Sequence, residues 1–99
     1  MAEYQLSLPA EKDFKDIYKY TLKTWGETQA DKYMSEMASA FRRLLLPPRG
    51  KMHGKLRNGL RSKRQGKHVI YFLESGDEAI ILRILHEKMD PIRHLTEKK

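Results

Sequence analysis

The residues with chemistry to offer in this chain are a few histidines and a run of cations. His68 and His86 sit at the ends of apolar runs, where an imidazole either moves a proton near neutral pH or serves as a satisfied structural group. His86, Asp90 and His94 recur at four-residue steps, which on one helix would align three metal ligands. Pro91 should open a helix, however, and leave His86 on the strand before it, so neither a metal nor any other cofactor is expected. Arg83 lies inside an Ile/Leu run and must be paired or point at something anionic. It either joins Arg61 in an anion- or partner-facing cluster or forms an ion pair with a carboxylate such as Asp13 or Asp16. Cysteine is absent, which excludes disulfides, thiolate zinc sites and thiol nucleophiles. No G-x-S-x-G turn or Gly-rich phosphate loop occurs. The chain is not expected to be an enzyme.

The charge is unevenly placed. The formal net charge is +7, and no acid falls between Glu36 and Glu74. Arg42, Arg43, Arg49, Lys51, Lys55, Arg57, Arg61, Lys63, Arg64 and Lys67 fill that stretch, half of the 20 Lys and Arg. Such a block attracts phosphate backbones or acidic proteins, or else simply solubilises the surface. With no helix-turn-helix or RNP-like motif, DNA would be met only within a larger complex.

These groups need a scaffold, and 99 residues provide one domain, 1–99, with a modest core. Residues 3–8 alternate polar and apolar as a half-buried strand, and Pro9 suits the first turn of a helix. Ala10, Phe14, Ile17, Thr21 and Trp25 then recur at helical spacing, with Tyr18 and Leu22 widening the stripe, until Gly26. A second stripe (Ala30, Tyr33, Met34, Met37, Phe41, Leu44, Leu45) runs to Pro47-Pro48, so the two helices should fold back as an antiparallel hairpin. Residues 47–59 carry three glycines and two prolines and read as a basic loop. Leu60–Lys63, Val69–Glu74 and Ala79–His86 read as an antiparallel three-stranded meander, and Asp90 can cap a short final helix opened by Pro91. The expected class is α+β: an N-terminal strand, a helix hairpin, the meander, and a short C-terminal helix or tail. No segment is apolar enough to span a membrane, no signal-peptide pattern opens the chain, and a cytoplasmic location is expected.

The last two strands raise an accounting problem. Val69, Tyr71 and Leu73 point one way and Ile70 and Phe72 the other; Ile80, Leu82 and Ile84 likewise oppose Ile81 and Leu85. Both sheet faces are therefore apolar, yet one helix hairpin covers one face. The uncovered face is expected to be a partner site; the alternative is that the basic loop and C-terminal tail fold over it.

Five blocks lie along the chain: Leu6-Ser7 with Ala10, Asp13, Ile17 and Tyr20-Thr21; Trp25-Gly26 with Gln29-Ala30 and Tyr33; Pro48, Gly50 and Gly59-Leu60-Arg61; Gly66 and His68-Val69-Ile70-Tyr71-Phe72; and Arg83-Ile84-Leu85-His86, Met89-Asp90 and Pro91-Ile92-Arg93-His94-Leu95. In their order and spacing over residues 6–95 they resemble the ParE family of bacterial toxins, within the wider RelE/ParE superfamily. The resemblance implies a toxin of a type II toxin–antitoxin pair that poisons DNA gyrase and is neutralised by a ParD-like antitoxin. Arg61, Arg64, Arg83 and His86 are then expected on the toxic surface, with Met89 and Asp90 at its rim. Tyr33, Met37, Phe41 and Tyr71 are expected in the antitoxin groove. The alternative within the superfamily is a RelE-like, ribosome-dependent mRNA endonuclease. For that reading Arg61 lies where the nuclease arginine belongs, but no Tyr follows Met89-Asp90, and His86 or His94 would have to substitute.

Overall fold

The computed structural model describes residues 3–95. The elements are β1 (Glu3–Leu6), α1 (Leu8–Trp25), α2 (Glu27–Arg42), β2 (Lys51–Met52), β3 (Arg61–Gln65), β4 (His68–Ser75), β5 (Glu78–His86) and α3 (Pro91–Leu95). One five-stranded sheet has the order β1-β5-β4-β3-β2. All neighbours are antiparallel except β1 and β5, which run parallel. The class is α+β, and no described helix is long and apolar enough to cross a membrane.

A single residue, Gly26, separates the helices. Its φ of 93° lies where a side chain would be strained, and its N–H closes α1 on the Leu22 carbonyl while its own carbonyl opens α2 through Ala30. The helix hairpin packs on one sheet face. There Ala10, Ile17, Met37, Phe41, Leu44, Ile70, Phe72, Ile81 and Ile84 form the main core, with the Phe41 ring against Tyr4 and Phe14. Helix α2 ends at Arg42, short of the expected stripe; Leu44 and Leu45 are still buried, but from the turn that follows.

The other sheet face is not open. Leu60, Tyr71, Leu85 and Leu95 are buried there as a second cluster, flanked by Leu56, Val69, Leu73 and Leu82. Leu56 comes from the basic segment and Leu95 from α3, so loop and tail seal the face that was expected to await a partner. The segment 47–59 also holds a two-residue strand, β2, where loop was expected. His53 pins it down: its Nε2 lies 2.7 Å from the Ser62 hydroxyl and its ring packs on Tyr71. Burial pushes the His53 imidazole below its ordinary pKa. Three of the four residues expected in the antitoxin groove are buried. Met37 and Phe41 lie in the main core and Tyr71 in the second, at 0%, 3% and 6% exposure, so none of the three offers a surface in the isolated chain. Of that set, Tyr33 alone reaches the exterior in part.

Strand β1 stops at Leu6, which leaves the edge of β5 beyond Ile81 without a strand partner. Side chains from the start of α1 take over. Ser7 caps α1 by accepting the Ala10 N–H and donates its hydroxyl to the Leu82 carbonyl at 2.9 Å. Leu82 is the extra residue of a bulge, since Phe72 pairs with Ile81 and Tyr71 with Arg83. Asp13 accepts the Ile84 N–H at 2.9 Å and takes the Arg83 guanidinium through two bonds of 2.7 and 2.9 Å. Of the two readings of Arg83, the structure thus gives the ion pair with α1, and the Asp13 carboxylate holds the guanidinium above even its ordinary high pKa.

Replacing Asp13 with Ala strands both the Ile84 N–H and the guanidinium. The expected cost is about 3 kcal/mol in urea unfolding, larger than for any exposed pair such as Lys12–Asp16. A loss below about 1 kcal/mol would show that the Asp13 contacts do not hold this edge.

Candidate functional site

Where the helix hairpin overhangs the end of the sheet, two clefts adjoin. The larger, about 360 Å³, lies between the end of α1 (Tyr20, Thr21, Trp25), the start of α2 (Gln29, Tyr33) and the facing strand ends Lys67, His68 and His86. The smaller, about 290 Å³, shares Tyr20, His68 and His86 and continues to Asp13, Asp16 and Met89.

Strand pairing brings the two histidines together. His68 opens β4, His86 closes β5, the two are register partners, and their rings meet edge to face at 5.4 Å. Tyr33 reaches them from α2. Its hydroxyl accepts the Lys67 N–H at 3.2 Å and lies 2.6 Å from His68 Nδ1 and 3.1 Å from the Gln65 carbonyl. Gly66 makes room for it: a Cβ there would stand 2.7 Å from the Tyr33 ring, and its φ of 60° completes the β3–β4 turn. Burial, then the nearby His86 ring, lowers the His68 pKa to about 4, so this imidazole is neutral at pH 7. Burial likewise pushes the Tyr33 hydroxyl above its ordinary pKa. His86 Nδ1 accepts the Lys88 N–H at 3.1 Å, which places the proton of the neutral ring on Nε2.

The residues expected on the toxic surface are distributed unevenly around this feature. His86 and Met89 line the clefts. Arg83 is tied to Asp13, a cleft residue, and Arg64 to Glu87, the neighbour of His86. Arg64 thereby holds the Glu87 carboxyl below the usual range. Arg61 stands apart at the far end of β3, opposite Phe72 and Met52. Asp90 lines neither of these two clefts; its carboxylate accepts the Ile92 N–H at 3.0 Å and caps α3. His86, Asp90 and His94 are thus split between a strand end, a cap and a helix, and no cluster of three metal-ligating side chains forms among the described residues.

Sequence reading missed Tyr20, Gln29 and Lys67 as cleft residues and assigned Trp25 to the buried stripe, whereas it is 69% exposed. Trp25 is the last residue of α1, where the helix has run past the sheet it covers. Helical spacing carries no information about that overhang; only the position of Trp25 next to the helix-ending Gly26 gave a signal.

The neutral state of His68 has a consequence for stability. The unfolded chain takes up the proton near pH 6.5 and the folded chain only near 4, so the unfolded state binds more protons in between. Stability is therefore full above about pH 6.5 and falls toward pH 4, by at most about 1.4 kcal/mol per pH unit from this group. His68→Gln is expected to flatten that part of the stability–pH curve measured by denaturant unfolding; an unchanged slope would contradict the buried neutral imidazole.

Comparison with known proteins agrees with this architecture. Residues 4–91 match the model of the family described as the ParE toxin of the type II toxin–antitoxin system, parDE. The chain is 32% identical over 96 residues to toxin ParE1 of Mycobacterium tuberculosis, covering 95% of this chain and 98% of that one. It is 33% identical over 96 residues to toxin ParE1 of Caulobacter vibrioides, covering 96% and 99%. In fold it is similar to a solved structure of the chromosomal ParDE system from P. aeruginosa, with a TM-score of 0.69 at 21% identity, covering 87% of this chain and 96% of that one. With a family match across 4–91 and relatives above 30% identity along nearly the full length, the chain belongs to the ParE toxin family of type II toxin–antitoxin systems.

Proposed function

We propose that the chain arrests growth by binding DNA gyrase, trapping it on cleaved DNA and blocking replication, and that a ParD-like antitoxin holds it inactive in the cytoplasm. The observation that carries this reading is the family match over residues 4–91. Electrostatics supports encounter with a nucleic-acid machine: the net charge is +7, and the acid-free stretch 37–73 runs from the end of α2 through β2 and β3 into β4. The placement of the arginines supports binding over strand cleavage. A site that stabilises phosphoryl-transfer charge presents its guanidinium groups to the phosphate, whereas Arg64 and Arg83 are engaged by Glu87 and Asp13, and Arg61, the arginine a nuclease would need, stands at the far end of β3 from His86. In this reading the surface around His86 and Met89 contacts gyrase. The antitoxin lies over apolar side chains left in water, such as Leu46 and Met52, rather than over an open sheet face.

Purified chain is expected to inhibit gyrase supercoiling and to raise the yield of cleaved, protein-linked DNA. The double variant His86→Ala/Met89→Ala should lose about tenfold or more of that inhibition, the equivalent of about 1.4 kcal/mol of contact. No effect on gyrase, together with cut mRNA in a translating extract, would select the RelE-like nuclease instead.

A further inference from the structure

The larger cleft shares His86 with the proposed gyrase-contacting surface, but its other groups are used by neither gyrase contact nor antitoxin capture. We propose that it is a nucleotide site, in which a nucleobase stacks against Tyr20 and Trp25, its edge is read by His68 and His86, and its phosphate is held by Lys67. The cleft is about 360 Å³, within the range of roughly 300–1,000 Å³ typical of small-ligand sites. Tyr20 and Trp25 leave 67% and 69% of their surface in water, and aromatic faces of this kind are what unstacked bases lie on. Among the described residues, Lys67 is the one Lys or Arg that lines it and no carboxylate does, so an anionic ligand fits.

The histidines give the cleft a reading edge. Each ring spends Nδ1 on the protein, His86 on the Lys88 N–H and His68 on the Tyr33 hydroxyl. Neither Nε2 has a hydrogen-bond partner among the described residues, and no unpartnered side-chain nitrogen or oxygen among them is fully buried, so neither Nε2 is sealed from solvent, and both residues line the cleft. His86 Nε2 carries its proton and donates. His68 Nε2 is switchable. If the Tyr33 hydroxyl donates to His68 Nδ1, Nε2–H is a donor; if it turns to the Gln65 carbonyl, Nδ1 takes the proton and Nε2 becomes an acceptor. One fixed donor beside one switchable group suits the mixed donor and acceptor edge of a base. A base with a phosphate comes from a free nucleotide or from the end of a single strand, and the chemistry recognised is the same.

Trp25 is the sole tryptophan, so its emission reports occupancy directly. The full chain is titrated with adenosine 5′-monophosphate, adenosine, inorganic phosphate and a short single-stranded oligodeoxynucleotide. Saturable change with the monophosphate is expected, about tenfold weaker with adenosine and absent with phosphate. Lys67→Ala, on an exposed turn, should erase the difference between monophosphate and adenosine while leaving the circular dichroism spectrum unchanged. The His68 and His86 ring nitrogens should shift in NMR spectra on addition of monophosphate. An oligonucleotide that binds at least tenfold more tightly than the monophosphate identifies a strand end as the ligand; equal or weaker binding identifies the free nucleotide. No saturable change with monophosphate or oligonucleotide, or binding with unmoved histidine nitrogens, overturns the proposal.

Discussion

A strand hairpin that is apolar on both faces must be covered on both, and most of this structure follows from that requirement. Ile70, Phe72, Ile81 and Ile84 face the helix hairpin, while Val69, Tyr71, Leu73, Leu82 and Leu85 face away from it. Each large side chain left in water on the second face would forgo about 1.5–3 kcal/mol of burial, too much for a domain whose whole stability is of the order of 10 kcal/mol. The chain meets the requirement with parts that carry little regular structure. Leu56 comes from the basic segment, Leu60 directly precedes β3, and Leu95 comes from a five-residue helix held at its start by Asp90. The same basic stretch therefore serves two ends: its apolar residues close the fold, and its cations stay at the surface.

Covering one face with a short hairpin fixes where the clefts lie. Helix α1 follows β1 immediately and so must cross the β5 edge that β1 leaves open. Asp13 and Ser7 act there as substitute strand partners, which anchors α1 against Leu82, Arg83 and Ile84. Beyond that anchor the helix runs on to Trp25 and overhangs the sheet end. The overhang, closed below by His68 and His86, is the cleft. An ion pair at one end of the hairpin thus positions an aromatic-rimmed pocket at the other.

Much of the fold was legible because its signals are local. Continuous apolar, β-rich runs marked β4 and β5, period-3.6 stripes marked α1 and α2, Gly26 marked the break between those helices, and Pro91 marked the start of α3. Arg83 was legible as a choice between two partners because an apolar strand forbids a bare cation. What was not legible depended on long-range closure. Leu56 and Leu95 lie 29 and 10 residues from Leu85 (85 − 56 and 95 − 85), in segments without periodicity, so nothing local showed that they would seal the outer face. Stripe residues such as Met37 and Phe41 could equally have served a core or a groove, and burial alone decided for the core. The cleft was legible only as its histidines. Their meeting is set by the β4–β5 register, and the partner Tyr33 lies 35 residues from His68.

The central claim is that the isolated chain closes both faces of its own sheet. Nuclear Overhauser contacts of the Leu95 methyl groups test it most directly, measured on the chain without any partner. The account requires cross-peaks from Leu95 to the side chains of Leu60, Tyr71 and Leu85, the members of its buried cluster. A folded sheet in which Leu95 shows no such contacts and its methyl groups resonate at random-coil positions would contradict it.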